Sequence, residues 1–154
     1  MRRITPQQTV PLRHAVLWPN KPVEYVLLPE DSTGYHYEAF DDSTTGEPLA
    51  VISLFLEDIP PEGDPDAHRG ADSPTPAMAR FRKFACEPSF QGRGIGTTLL
   101  RYVLDVTRDE LNCRVLWCDA RVESAGWYER RGLSKFGRTF YKGEVEYIRM
   151  RVQV

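Results

Sequence analysis

The chain has 154 residues, 41% hydrophobic and 27% charged, with 20 Lys and Arg against 22 Asp and Glu for a net charge of −2. That length fits one ordinary domain, which buries roughly 70% of the surface its unfolded chain exposes and needs neither disulfides nor a structural metal. There is no basic excess to neutralise a run of phosphates, which sets nucleic acid aside, and no apolar run approaches the ~20 residues of a membrane-crossing helix. The opening residues, Met1 to Pro6, lead into polar sequence rather than a signal-peptide core, so a cytoplasmic protein without membrane contact is expected. Cys86, Cys113 and Cys118 sit at no metal-finger spacing and are expected to be reduced core residues, with no metal bound.

Thr9 as a cap, Pro11 in the first turn and Leu12, Val16 and Leu17 on one face predict an N-terminal helix, which Pro19 and Pro22 end. Strands are expected over Tyr35 to Phe40 and Leu49 to Leu56, paired antiparallel through a hairpin loop over Asp42 to Glu47. Residues 60–76 turn to Pro, Gly, Asp and Ser with no hydrophobic period. They are expected to form a mobile loop, either a solvated insertion or a lid. A strand resumes over Ala79 to Cys86 and stops at Pro88, which lacks a backbone donor. After a turn through Ser89 to Gly94, Ile95, Leu99, Val103, Val106 and Leu111 recur at helical spacing, with Arg101, Asp105, Arg108 and Asp109 on the other face. Val115 to Cys118 is a short buried strand, and Ser124 to Arg131 a short helix closed by Gly132. Lys135 to Tyr141 and Val145 to Val152 are the last strands, joined through Gly143. This order predicts an α/β fold in a single domain over 1–154, with helices covering a mixed sheet.

Gln91, Gly92, Arg93, Gly94, Ile95, Gly96 and Thr97 lie where a strand passes into a helix. Small residues let a ligand approach the backbone, and the first N–H groups of a helix have no internal partners, so this turn suits a phosphate. It is not a P-loop, because Thr97 and Thr98 follow Gly96 where Lys and then Ser or Thr are required. As a dinucleotide fingerprint it is weak, since Thr97 replaces the third glycine and the turn does not belong to a first βαβ unit.

The run RKFACEPSFQGRGIGTTLL, Arg82 to Leu100, resembles the acyl-CoA motif of the GNAT superfamily of N-acetyltransferases, Q/RxxGxG/A at a strand-to-helix turn. Gln91, Gly94 and Gly96 fill it. Further on, SAGWYERRGL, Ser124 to Leu133, is similar to the family's AxxFYxxxGF helix and puts Tyr128 at the position of the family's tyrosine. LRHAVLWPNKP near the N-terminus and LWCDAR before the short helix extend the resemblance over nearly the whole chain. One position departs from it: Val122 stands where many members carry an Asn that contacts the pantetheine arm.

The resemblance implies a mixed, mostly antiparallel sheet flanked by helices, with acyl-CoA in the splay between two central strands. It also implies that the pyrophosphate of acetyl-CoA rests on the backbone N–H groups from Gly92 to Thr97. The pantetheine amides then pair along Phe84, Ala85 and Cys86, and an acceptor amine attacks the thioester directly. Arg93 either adds charge beside a phosphate or stands in solvent. An alkyl ammonium of pKa ~10.4 must first lose a proton, and a protonated phenol can supply one to the departing thiolate, a general-acid role that suits Tyr128. A backbone N–H at the end of the Phe84 to Cys86 strand is expected to hold the oxyanion.

Glu87, Glu57, Asp58 and His36 are candidate bases by type alone, residues of a kind that is more often solvated or capping. Cys86 has no His spacing that would activate it as a nucleophile. Arg80 and Arg82 point to one face by strand alternation and Arg13 could approach the same cleft; one of them, Arg82 preferentially, is expected to orient an acidic group on the acceptor, the alternative being a structural ion pair. The concentration of Arg80, Arg82, Lys83 and Arg93, set against acids from Glu57 to Asp72, predicts a polarised cleft. The expected partner is a small-molecule primary amine. A non-catalytic acyl-CoA-binding or sensing domain and a protein or peptide N-acetyltransferase are the alternatives. Phe140, Tyr141, Tyr147 and Ile148 in the last strands are compatible with a homodimer or with a monomer core.

Overall fold

A computed structural model describes residues 1–41, 46–60 and 77–154. The strands β1 (Arg2–Ile4), β2 (Tyr35–Ala39), β3 (Ala50–Leu56), β4 (Met78–Cys86), β5 (Val115–Arg121), β6 (Ser134–Lys142) and β7 (Val145–Gln153) form one sheet in the order β1-β2-β3-β4-β5-β7-β6. The helices are α1 (Pro6–Leu17), α2 (Ile95–Asp109) and α3 (Ala125–Glu129). Pairs β1/β2, β2/β3, β5/β7 and β6/β7 are antiparallel, while β4 and β5 run parallel with Met78–Arg80 opposite Val115–Trp117. The sheet is therefore mixed and mostly antiparallel. The tip of the hairpin loop expected over Asp42 to Glu47, and nearly all of the loop expected over 60–76, lie outside the described residues.

The chain divides into two compact units, Met1–Phe55 with Phe81–Leu104 and Leu56–Arg80 with Asp105–Val154. In the first, α1 is capped by Thr5, four residues before the Thr9 cap that the sequence suggested. Thr5 and Gln8 close a reciprocal capping box in which Thr5 N donates to Gln8 Oε1 at 2.8 Å and Gln8 N donates to Thr5 Oγ1 at 3.3 Å. Pro6 takes the first helical position, where its missing N–H costs nothing, and Pro11 falls inside the helix. Thr9 is buried and donates its hydroxyl to Pro6 O at 2.6 Å. The edge strand β1 went unpredicted because Arg2 and Arg3 carry no hydrophobic alternation; its backbone pairs with β2. Arg2 also pairs with buried Glu38 and lies over the Phe40 ring. In β3 every residue except Leu56 is buried, which explains a continuous apolar run instead of an alternating one.

The polar centre of this unit is Arg13, which the structure removes from the surface altogether. It is wholly buried, donating from Nη1 to Val26 O at 3.1 Å and to Asp31 Oδ2 at 2.8 Å, and from Nη2 to Asp31 Oδ1 at 3.0 Å and Ser53 Oγ at 2.8 Å. His36 continues the network, with Nε2 2.8 Å from Asp31 O and Nδ1 2.7 Å from Ser53 Oγ. A carbonyl can only accept, so Nε2 carries the proton, and in the neutral ring Nδ1 accepts from the Ser53 hydroxyl. Burial holds the His36 pKa below its usual 6.5, aided by the charges of Arg13 and Arg3 and opposed by Asp31. Burial works against ionisation of Asp31 too, but the Arg13 hydrogen bond, the Leu28 amide and nearby positive charge outweigh it and keep that pKa below 3.8.

In the second unit, Leu116, Trp117, Cys118 and Ala120 of β5 are buried together with Leu133, Ile148 and Met150. Strand β5 runs three residues past the expected end at Cys118, and β7 pairs along its whole length. Helix α2 stops at Asp109 instead of Leu111, and Asn112 turns the chain in the left-handed region at φ 54 while Cys113 N bonds back to Thr107 O at 3.0 Å. Asn tolerates that conformation better than most residues. No helix among the described residues is long and apolar enough to cross a membrane.

Two stability measurements test the buried network. Arg13→Ala, which strands Asp31 in the interior, is expected to lower unfolding free energy by about 3–5 kcal/mol in urea titration. Because the folded pKa of His36 lies below its unfolded value, the neutral ring's contribution is complete above pH 6.5 and is lost as pH falls through the folded pKa. The urea midpoint should therefore be level from about pH 7 to 8 and decline below about 6.5, with His36→Gln abolishing this first decline. The loss from Asp31 follows only below its unfolded value of 3.8.

Candidate active site

In the first unit, β4 delivers the chain to the glycine turn. Lys83 within it adopts φ 54, a left-handed conformation that is uncommon for a residue with a side chain. Phe81 and Phe84 meet edge to face at 6.2 Å, and Ala85 is buried. Cys86 is half-buried, and burial followed by the charge of Glu87 raises its thiol pKa, so it lacks the character of an activated nucleophile. Glu87 fixes the exit from the strand. Its N–H donates to Leu49 O at 2.8 Å, and its carboxylate caps the turn over Pro88–Phe90 by accepting from Ser89 N at 2.8 Å.

Gln91 then ties the turn back to the strand, donating from Nε2 to Cys86 O at 3.0 Å. Gly92 and Gly94 both sit at φ 79, and a Cβ at either position would meet nothing within 4 Å. Glycine is required here by backbone conformation, and the space above both residues is open. Arg93 lies with its guanidinium 5.2 Å from the Phe90 ring centroid. The first bond into α2 is Thr98 N to Gly94 O at 3.0 Å, so the amides of Gly94, Ile95 and Gly96 stand ahead of the helical ladder. Such an N-terminus carries partial positive charge and suits an anion.

In the second unit, α3 carries Tyr128, half-buried, with its ring edge-on to Trp127 at 5.1 Å. Leu133 N bonds to Tyr128 O at 3.2 Å, and Gly132 at φ 98 makes the left-handed exit that the sequence predicted. Burial, with a contribution from Cys118 and partial relief from Arg121, pushes the phenol well above its usual range. It stays protonated at neutral pH and can act as a donor. Val122 is exposed and offers no polar side chain.

The candidate bases are engaged elsewhere. His36 belongs to the buried network; Asp58 Oδ1 accepts from Ala77 N and Met78 N, both at 3.0 Å; Glu57 pairs with Arg80 at 2.9 Å; and Glu87 caps its turn. Arg13 is a core residue, which corrects its assignment to the acceptor. Arg82 lies 3.8 Å from Glu30 and is more exposed than Arg80, which bridges Glu57 and Asp119. Arg80 and Arg82 alternate onto one strand face but pair with different acids.

The sequence pattern of the Acetyltransferase (GNAT) family matches residues 5–133. The chain belongs to that family and is accordingly an acyltransferase that draws on an acyl-CoA. Among curated proteins it is 22% identical to the Uncharacterized N-acetyltransferase YitI of Bacillus subtilis (strain 168), over 91% of this chain and 85% of that one. Its fold is similar to that of an acyl-CoA N-acyltransferase from Pseudomonas aeruginosa, with TM-score 0.66 and 17% identity over 95% of this chain and 88% of the other. A spermidine N-acetyltransferase chimera of Vibrio cholerae SpeG and hSSAT gives TM-score 0.65 at 17% identity, covering 99% of this chain and 94% of that one.

Gly92→Ala and Gly94→Ala should each cost about 1–2 kcal/mol of thermal stability through the left-handed backbone alone. Lys83→Gly should be neutral or mildly stabilising, because relief of the same strain exceeds glycine's entropic cost of about 0.5–1 kcal/mol. Differential scanning calorimetry of the three variants checks both.

Proposed function

We propose that the protein transfers an acetyl group from acetyl-CoA to a primary amine of a small molecule. The observation that supports this most is the left-handed pair Gly92 and Gly94 ahead of α2, open above both residues, in a chain of this family. In this reading the pyrophosphate takes the amides from Gly92 through Ile95 and Gly96 to Thr97, with Arg93 adding charge, and Gln91 keeps the turn in shape. The pantetheine arm runs along Phe84, Ala85 and Cys86. The acceptor nitrogen attacks the thioester carbon, the N–C bond forms, and the C–S bond then breaks as the thiolate leaves. Tyr128, kept protonated by burial, gives that thiolate its proton. The ammonium proton leaves through ordered water, a route favoured by the engagement of Glu57, Asp58, Glu87 and His36 with other partners.

The spermidine acetyltransferase likeness is in keeping with a small aliphatic amine as acceptor. Three free cysteines suit a reducing, cytoplasmic setting, and exposed Tyr141 on the edge strand β6 suits a homodimer contact. Release of CoA thiol over a panel of small amines tests the proposal. Tyr128→Phe should lower kcat by about 10²–10⁴-fold while leaving CoA affinity nearly unchanged. Tight CoA binding without amine-stimulated release, and a silent Tyr128→Phe, would establish a binding or sensing domain instead. Release only with peptide acceptors would establish a peptide acetyltransferase.

A further inference from the structure

On β5, Asp119 is almost wholly buried and is met by Arg80 Nη2 at 2.7 Å, Lys142 Nζ at 3.0 Å and Arg149 Nε at 3.3 Å. Glu57 shares Arg80 at 2.9 Å. Arg80 is occupied at both Nη atoms and is mostly covered. Arg149 differs from it. It reaches Asp119 through Nε, its side chain is 25% exposed, and its two Nη atoms have no hydrogen-bond partner among the described residues.

Around that open fork the strand register assembles an apolar floor. Arg149 lies opposite Asp119 on β5 and Phe136 on β6, while Tyr147 lies opposite Arg121 and Phe140. The Arg149 guanidinium is 5.4 Å from the Phe140 ring centroid and 5.8 Å from that of Trp117, and Phe140 and Tyr147 stack at 6.0 Å. Lys142 Nζ lies 4.7 Å from the Tyr147 ring. Arg121, two residues along β5 on the same face as Asp119, is the residue whose charge acts on Tyr128.

We propose that Arg149 and Lys142, over the Trp117, Phe140 and Tyr147 rings, bind a carboxylate of the acceptor, which makes the acceptor an amine that also carries a carboxylate. This rests on the acetyltransferase reading above. A guanidinium fork presents two parallel donors to a carboxylate. Arg82, the acceptor contact expected from sequence, already has Glu30 beside it.

Matched acceptors and a chemical probe test it. Wild type should have a lower KM for 4-aminobutanoate than for n-butylamine. Arg149→Gln should raise the KM for 4-aminobutanoate by about tenfold or more while leaving kcat, and both constants for n-butylamine, within about twofold, with partial rescue by Arg149→Lys. Independently of turnover, phenylglyoxal modification of Arg149 in the full chain, located by peptide mass mapping, should slow severalfold with succinate. Succinamide, or chloride at equal ionic strength, should not slow it. Protection of Arg149 with no turnover of any amine would leave the anion site standing and overturn the acetyltransferase reading. Absence of protection, or an equal loss on both acceptors, would overturn the site proposed here.

Discussion

The constraint on which this protein turns is the passage from β4 to α2, which places residues 92 and 94 in the left-handed region with open space where their side chains would stand. Its surroundings hold it in place. Glu87 anchors the strand exit to Leu49 and caps the following turn, and the Gln91 amide reaches back to Cys86 O. The glutamine of the family motif thus has a structural reason to be a glutamine, since a side chain of that length can bridge turn and strand. The glycines have a different reason. Nothing crowds their missing side chains, so the requirement is conformational, and the unfilled volume above them gives a ligand access to the backbone.

Electrostatics in this chain is organised by pairing across strands more than by composition. A cleft lined by Arg80, Arg82, Lys83 and Arg93 looked polarised along the sequence, yet Arg80 is neutralised by Glu57 and Asp119, and Arg93 lies over an aromatic ring. Strand register brings Arg149 and Lys142 to the same buried carboxylate, Asp119. In the first unit Arg13 and Asp31 neutralise each other, and Ser53 and His36 extend their hydrogen bonding, with the buried Arg13 Nε left without a partner among the described residues. Such a network is costly to break at any single member because each removal strands a buried partner.

Much of this was legible in the sequence. The apolar run at β3, the periodic face of α2 and the glycine exit after α3 each carry a local signal, because burial and left-handed turns constrain residue type position by position. The glycine turn was legible for the same reason, whereas Tyr128 was singled out by the resemblance of its helix to the family's. The start of α1 was misplaced because the Thr9 and Pro11 signals resemble those at Thr5 and Pro6, and only the Gln8 side chain decides between them. Arg13, expected at the acceptor, is buried, and Arg149, for which the sequence carried no expectation, pairs with Asp119 through Nε alone, for a deeper reason. Which arginine is buried and which keeps an open fork depends on partners 18 residues away in one case and 30 in the other, and local sequence does not encode those contacts.

The central claim is that the amides at the start of α2 hold the phosphates of the acyl-CoA. Titration of the isotopically labelled protein with CoA, followed through backbone amide resonances, tests it most directly. The account predicts that the largest shifts fall on Gly92, Arg93, Gly94, Ile95, Gly96 and Thr97. Saturable CoA binding that leaves those six amides unmoved and shifts others would contradict it.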